Sequence, residues 1–221
     1  MFGLTVIVIL CIVYALVGHI ALTFLLSLVS QSNVKKNEEY SPSVCFMIAA
    51  YNEESFISEK IKNTLEIDYP SDKMKIVVVS DGSTDETDNI VRSFSLQGVE
   101  LRRVEGRVGK TEARNVAVLE RSEEIIVFSD ATAIYEKDAV RKLVSNFSES
   151  SVGMVSGKLK YFDKTSSNFG AATKVYWAYE LFIKNAQSRL RTLTGAVGCI
   201  NAFRSELFFK LPANVSEDFT F

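Results

Sequence analysis

Short apolar runs alternate with longer segments of helical period through the middle of the chain. The apolar runs are Val44–Ala50, Lys75–Val79, Val99–Val104 and Glu124–Phe128. The segments of helical period that follow them are Ser55–Leu65, Asp85–Phe94, Thr111–Leu119 and Lys137–Phe147. Because strand and helix repeat in this order, we expect an α/β fold with a mostly parallel sheet and helices on both faces.

The regular repeat ends after Val152–Gly157. Asn168–Leu190 has the pattern of one long helix, and it carries more aromatic residues than one narrow face can hold. We therefore expect part of this helix to lie against the domain, the membrane surface or a ligand channel.

The N-terminus is strongly apolar, with no Lys, Arg, Asp or Glu between Leu4 and Val29. A run of this length can cross a bilayer core of about 30 Å, so it predicts one transmembrane helix. Lys35 and Lys36 follow the run closely, and the positive-inside rule then places the downstream domain in the cytoplasm. We expect a single-pass membrane protein with an anchor at 1–30, a linker at 31–42 and one domain at 43–221.

Composition narrows the choice of partners and of compartment. The 25 Lys and Arg residues are balanced by 27 Asp and Glu residues, so we expect no nucleic-acid partner. Cys11, Cys45 and Cys199 have no metal-binding spacing and form no disulfide framework, which favours reduced thiols.

Acidic side chains follow two of the predicted strands. Asp81 comes shortly after the run Lys75–Val79, and Asp130 after Glu124–Phe128. Because the carboxyl ends of parallel strands meet at one edge of a sheet, this placement suggests a nucleotide-binding crevice. Asp81, next to Gly82, could accept a hydrogen bond from a nucleobase N–H or a ribose hydroxyl, although acidic turns of this composition are also common.

Two further motifs belong to the same edge. In the segment 49–54, Tyr51 could cover a planar base, while the alternative is a capping turn with Asn52 as the helix N-cap. Gly109 and Lys110 open the third helix, where Lys110 could contact a diphosphate. A solvated helix N-terminus fits this segment equally well, since the glycine spacing of a P-loop is absent.

Two carboxylate motifs could carry metal binding and acid–base chemistry. Hard divalent cations prefer oxygen ligands, so Asp130 could hold Mg²⁺ or Mn²⁺ against a sugar-nucleotide diphosphate. Thr132 stands where a second acid would complete an Asp-x-Asp pair, which predicts a weaker metal site. Near the end of the sequence, Glu217 and Asp218 offer a general base toward an acceptor hydroxyl, or an exposed acidic tail.

In this order, the motifs from Ser43 onward resemble the inverting family 2 glycosyltransferases with a Rossmann-like GT-A fold. The closest resemblance is to membrane-bound cellulose-synthase-like and poly-N-acetylglucosamine-synthase-like members. The matching motifs are A-Y-N-E-E at 50–54, V-S-D-G-S-T-D at 79–85, Gly109-Lys110 with Asn115, F-S-D-A-T at 128–132 and S-E-D-F at 216–219.

The resemblance implies a role for each matching residue. The residues implied in binding the donor are Ala49, Tyr51, Glu53, Asp81, Lys110 and Asp130. Asp130 is also the implied metal ligand, and Asp218 the implied general base. Gly195, Gly198 and Glu217 are implied on the acceptor side. Processive relatives continue with a Gln-x-x-Arg-Trp motif and further membrane helices, so we expect the domain to be C-terminally incomplete in this sequence.

We therefore expect a membrane-anchored, metal-dependent transferase that moves glucose or N-acetylglucosamine from a UDP-sugar to a hydroxyl of a saccharide or lipid acceptor. The anticipated context is polysaccharide or glycolipid synthesis. The alternative is a non-catalytic nucleotide-sugar-binding fragment or scaffold of such a synthase. A dinucleotide-binding oxidoreductase is disfavoured, because no G-x-G-x-x-G follows the first strand.

Overall fold

The computed structural model describes residues 2–14, 18–30, 34–158 and 168–212. Its elements in chain order are α1 (Phe2–Val13), α2 (His19–Val29), β1 (Val44–Ala50), α3 (Ile57–Leu65), β2 (Met74–Asp81), α4 (Thr87–Ser93), β3 (Val99–Val104), α5 (Lys110–Leu119), β4 (Ile125–Asp130), α6 (Ala139–Val144), β5 (Met154–Ser156), α7 (Asn168–Arg189) and β6 (Ile200–Arg204). Short 3₁₀ helices lie at Ser95–Gln97, Ser145–Ser148 and Ser205–Leu207. The chain divides into two compact units, one containing α1, α2 and α7 and the other containing the sheet with α3 to α6.

The sheet has six strands in the order β3-β2-β1-β4-β6-β5. The four strands β1 to β4 are parallel, which confirms the predicted α/β fold. Strands β5 and β6 pair antiparallel at the other edge, and β6 runs antiparallel to β4. In the parallel part, Ala49 of β1 lies beside Val79 of β2 and Asp130 of β4. The carboxyl ends of the three strands therefore meet at one edge.

Both faces of the parallel strands are covered, which is why their sequences are nearly continuous apolar runs rather than alternating ones. Phe46 and Ile48 of β1 belong to one core cluster, which includes Ile57 and Ile61 of α3. The residues Cys45, Met47 and Phe128 belong to a second cluster on the other face, with Ala113 and Ala117 of α5.

The main departures from the predicted elements lie at the ends of strands and at the start of helices. Strands β2 and β4 each continue two residues beyond the predicted limit, so that Asp81 and Asp130 are the last residues of their strands. Helix α3 begins at Ile57 and α4 at Thr87, two residues later than the pattern predicts. The extra strand residues bring the two carboxylates to the sheet edge itself.

The first unit contains the apolar helices α1 and α2 together with α7. Phe24 of α2 packs against Phe182 of α7 with ring centroids 5.0 Å apart, and the Ser30 hydroxyl donates to the Arg189 carbonyl. The sequence predicts one helix across 4–29, and the structure describes α1 and α2 within this range, with residues 15–17 between them outside the described part of the chain. Helix α2 has 11 residues, a length of about 16 Å. Among the residues that the structure describes, no helix is long and apolar enough to cross a membrane.

Residues 34–42, predicted as part of a linker, belong to the second unit. The Asn37 amide donates to the Ser145 carbonyl, and the Tyr69 hydroxyl donates to the Pro42 carbonyl. Helix α7 belongs to the first unit.

One close backbone contact shapes the edge of the sheet beyond β2. Gly82 has a φ of +67°, and a Cβ built on it would lie 2.4 Å from the Gly106 carbonyl oxygen. The loop after β3 can approach the end of β2 this closely because residue 82 has no side chain.

Gly82→Ala is expected to lower the melting temperature of the full chain by about 5–10 °C, since it adds a backbone clash to the cost of a positive φ. Gly98→Ala is the matched control, because Gly98 also has a positive φ, +84°, but nothing lies within 4 Å of the added Cβ. The melting temperature of Gly98→Ala should fall by only about 2–4 °C. Equal losses, measured by circular dichroism, would contradict the importance of the Gly82 contact.

Candidate active site

A cavity of about 350 Å³ opens at the carboxyl ends of β1, β2 and β4. Six residues that the sequence analysis implicates in donor binding line it: Ala49, Tyr51, Glu53, Asp81, Lys110 and Asp130. The other lining residues are Ala50, Val79, Ala113, Ala131 and Thr132. This volume lies within the range that small-molecule sites occupy. The ends of three strands, the loop after β1 and the start of α5 therefore bring the predicted residues into one site.

The Asp130 carboxylate is held by two cations of helix α5. Its Oδ1 lies 2.7 Å from Lys110 Nζ and 3.2 Å from an Arg114 guanidinium nitrogen. Lys110 and Arg114 are four residues apart, so they lie on the same face of the helix. Arg114 is 1% exposed, and it also donates to the Ser129 carbonyl and lies over the Phe128 ring. Asp130 is thus fixed to α5 by a partly buried charge network.

No motif in the sequence assigns a role to Arg114. The signal was present in the spacing of Lys110 and Arg114, which predicts that both side chains follow one face of α5. A guanidinium this deeply buried needs an acidic partner, because an unpaired charge in a protein interior is costly. Asp130 supplies that partner.

Glu53 lines the same cavity and lies near other acidic side chains. Burial raises the pKa of the Glu53 carboxyl, and the nearby charges of Asp130 and Asp85 raise it further. Like charges held in proximity favour a bound cation, which would relieve their repulsion. Within the described ranges, however, no group of three or more His, Cys, Asp or Glu side chains is arranged to hold a metal ion.

Asp81 supports the loop that leads into α5. Its two carboxylate oxygens accept hydrogen bonds from the backbone amides of Val108 at 2.8 Å and Gly109 at 3.0 Å. The same loop places the Arg107 guanidinium 4.3 Å from the centre of the Tyr51 ring. Asp81 lines the cavity as predicted, and it also sets the position of the loop that carries Arg107 and precedes Lys110.

The loops after β1 and β2 are joined through Asn52. This residue has a φ of +53°, and its side-chain oxygen accepts the Thr84 amide at 2.8 Å. The backbone amide of Asn52 donates to the Ser83 hydroxyl. The interpretation of Asn52 as a helix cap is wrong, because α3 begins at Ile57 with Phe56 in the capping position. Asn52 instead joins the loop that carries Tyr51 to the loop that follows Asp81.

The residues implied on the acceptor side are distributed differently. Gly195 belongs to the first unit, where its carbonyl accepts a hydrogen bond from Lys184. Gly198 lies in the turn before β6 of the second unit. Glu217 and Asp218 lie outside the described residues. Their roles remain predictions from the sequence.

Asn115 of α5 is hydrogen-bonded to Leu211, near the end of the described residues. Its amide nitrogen donates to the Leu211 carbonyl at 2.7 Å, and its oxygen accepts the Leu211 amide at 3.1 Å. Asn115 is 1% exposed, so these hydrogen bonds are shielded from water. The helix that carries Lys110 therefore also fixes the segment that precedes Glu217 and Asp218 in the sequence.

This arrangement can bind an anion that also carries a planar group. Lys110 offers positive charge, Asp130 and Glu53 offer carboxylates to a cation, and Tyr51 offers an aromatic face. A cavity with these groups at the carboxyl ends of parallel strands is suited to a nucleotide. The sheet and the position of this cavity are typical of the GT-A-like class of α/β folds.

The family model described as glycosyl transferase family 2 matches residues 45–211. The chain belongs to glycosyl transferase family 2, which confirms the resemblance seen in its motifs.

Two similar proteins extend this assignment. The poly-beta-1,6-N-acetyl-D-glucosamine synthase of Staphylococcus aureus is 29% identical over 196 residues, which cover 86% of this chain and 45% of that protein. The beta-monoglucosyldiacylglycerol synthase of Synechocystis sp. is 33% identical over 116 residues, which cover 51% of this chain and 24% of that protein. The chain thus spans less than half the length of these relatives.

A solved structure agrees with the fold over nearly the whole chain. A mannosyltransferase from Pyrobaculum calidifontis, in complex with GDP-Man and Mn²⁺, superposes with a TM-score of 0.75 and 27% sequence identity. The match covers 95% of this chain and 60% of that one.

Asp81→Asn is expected to speed amide hydrogen exchange at Val108 and Gly109 by roughly tenfold, because the new side-chain NH₂ cannot accept a hydrogen bond. Mass spectrometry of the full chain would measure this. Asp72→Asn, a change at an exposed turn, should leave exchange in this loop unaltered. Unchanged exchange in Asp81→Asn would contradict the role of Asp81 in holding the loop.

Proposed function

We propose that this chain transfers glucose or N-acetylglucosamine from a UDP-sugar to a hydroxyl of a saccharide or lipid acceptor, with inversion at the anomeric carbon. The observation that carries the proposal is the pairing of Asp130 with Lys110 and Arg114 at the mouth of the donor cavity. The named relatives are synthases of a β-linked N-acetylglucosamine polymer and of a glucosyl lipid, which supports both the sugar and the acceptor class.

Donor binding begins with the nucleoside. Tyr51 presents its ring to the cavity, and Arg107 lies over that ring. A base inserted beside Tyr51 gains stacking, and a guanidinium adds attraction to aromatic faces. The diphosphate then lies near Lys110, whose ammonium neutralises charge on the phosphate oxygens.

The oxygen atoms available at the site suit a hard divalent cation. Asp130 supplies a carboxylate, and Glu53, whose carboxyl pKa is raised by burial and then by the charges of Asp130 and Asp85, would be stabilised in its charged form by a nearby cation. Thr132 adds only a neutral hydroxyl, so diphosphate oxygens and water would complete the coordination of Mg²⁺ or Mn²⁺ by Asp130. Bound there, the ion would stabilise charge on the departing diphosphate. The presence of Mn²⁺ in the mannosyltransferase structure is consistent with this choice.

The chemical step needs one base and one leaving group. We assign the base to Asp218 on the sequence motif. Asp218 takes the proton from the acceptor hydroxyl as its oxygen attacks the anomeric carbon. The bond from that carbon to the diphosphate oxygen breaks, and UDP leaves with the bonding electrons. Lys110 stabilises the charge that develops on the leaving group.

The membrane is part of the proposal. The apolar residues 4–29 would associate with a bilayer, and Lys35 and Lys36 would favour a cytoplasmic position for the second unit. Exposed aromatic and aliphatic side chains on α7, including Tyr179 and Phe182, are suited to the interfacial region. A catalytic unit at the cytoplasmic surface would meet a soluble donor and an acceptor that is growing or anchored in the membrane.

Membranes that contain the full chain are expected to release UDP from UDP-glucose or UDP-N-acetylglucosamine in the presence of Mg²⁺ or Mn²⁺. Asp218→Asn should slow release by at least about a hundredfold, because the base is lost. Asp130→Asn should lose most of the stimulation by metal. Asp72→Asn, at an exposed turn, is the matched control and should retain activity. The anomeric configuration of the product tests inversion.

The outcomes separate the competing functions. UDP binding without release would favour a non-catalytic nucleotide-sugar-binding fragment or scaffold. Release of GDP from GDP-mannose, with none of UDP from UDP-sugars, would contradict the choice of donor. Full activity of Asp218→Asn would contradict the assignment of the base.

A further inference from the structure

A lysine is buried directly beneath the loop that follows Asp130. Lys60 of α3 is 0% exposed, and its Nζ donates to the Ala133 carbonyl at 2.6 Å. The Nζ also lies 4.0 Å from the ring centre of Tyr135 and 5.1 Å from that of Phe46. Lys60 therefore contacts the backbone and a side chain of the loop 131–135 from below.

Asn63, on the next turn of α3, is hydrogen-bonded to a second residue of the same loop. The Asn63 amide nitrogen donates to the Tyr135 carbonyl at 2.9 Å, and the Asn63 oxygen accepts the Tyr135 amide at 2.8 Å. Lys60 and Asn63 are three residues apart and thus share one face of the helix. Together they hold the backbone at Ala133 and at Tyr135.

The Tyr135 side chain also fixes the loop through a hydrogen bond from its hydroxyl. This residue is 5% exposed, and its hydroxyl lies 2.9 Å from the Cys199 carbonyl oxygen, to which it donates. Cys199 follows Gly198, one of the residues implied on the acceptor side. The first residues of the loop, Ala131 and Thr132, line the donor cavity. A displacement of the loop would change the cavity wall next to Asp130.

Burial of an amine at this position costs free energy, because the charged group loses its hydration. Burial lowers the pKa of Lys60 to about 7, and the charges of Asp130 and Cys199 oppose this shift. A methionine would fill a similar volume without any desolvation cost. What the lysine supplies that methionine cannot is the hydrogen bond to Ala133.

We propose that Lys60 and Asn63 are positioning residues that clamp the loop 131–135 and so set the wall of the donor cavity next to Asp130. The effect on donor binding rests on the proposed function, whereas the clamp itself does not. Neither residue lines the donor cavity. Both act through the loop, and their loss should alter the binding of the diphosphate and its metal rather than remove a reacting group.

The clamp is tested by hydrogen exchange on the full chain, which requires no activity. Lys60→Met and Asn63→Leu should each raise exchange within 131–136 by roughly tenfold, the effect of losing one buried hydrogen bond. Strands β1 and β2 should be unaffected. Lys62→Met is the matched control, because Lys62 is an exposed lysine of the same helix. Unaltered exchange within 131–136 in both variants would overturn the proposal.

The consequence for the cavity is tested by titration with UDP in the presence of Mn²⁺. The affinity should fall about tenfold in Lys60→Met and stay unchanged in Lys62→Met. Faster exchange with unchanged affinity would overturn the effect on the cavity. If the natural chain itself binds no UDP, the proposed function fails, and the exchange experiment still decides whether the clamp exists.

The pH dependence of stability gives an independent test of the buried amine. The pKa of Lys60 is about 7 in the folded chain and about 10.4 when exposed. Between these values the unfolded chain binds more protons, so stability rises with pH. The melting temperature of Lys60→Met should exceed that of the natural chain most at pH 7, and the difference should shrink toward pH 10. A difference that is constant across this range would overturn the placement of the amine.

Discussion

The ion pairs of Asp130 with Lys110 and Arg114 are the interaction on which the candidate site depends. They join the end of the central strand β4 to the first turns of α5, across a distance of 2.7 Å to the lysine. Arg114 is buried, so removal of Asp130 would leave a guanidinium without its acidic partner. The same carboxylate is the proposed metal ligand. Its position therefore has to satisfy both the fold and the donor.

The loop before α5 and the loops after β1, β2 and β4 surround the candidate site. Asp81 holds the loop before α5, Asn52 joins the loops after β1 and β2, and Lys60 supports the loop after β4. Each is a polar side chain that bonds to backbone atoms of another segment. Such bonds are stronger where they are shielded from water. The site is thus assembled by side-chain hydrogen bonds that rest on a rigid parallel sheet.

Much of this arrangement could be predicted from the sequence, because apolar runs that end in an acid locate both the buried strands and their carboxyl ends. The antiparallel pair β5 and β6 could not be predicted, since β5 has three residues and no pattern of its own. The roles of Lys60 and Arg114 were missed for another reason. A basic residue within a helical pattern is usually solvated, and only the tertiary structure shows that these two are buried.

The most direct test of the account is calorimetric binding of UDP, UMP and uridine to the full chain, with Mn²⁺ and with a chelator. If the charges around Asp130 form a diphosphate site, affinity should fall by at least about tenfold from UDP to uridine, and Mn²⁺ should strengthen only the binding of the phosphorylated ligands. Equal affinities for UDP and uridine, unaffected by Mn²⁺, would contradict the central claim that this edge of the sheet holds a nucleotide diphosphate.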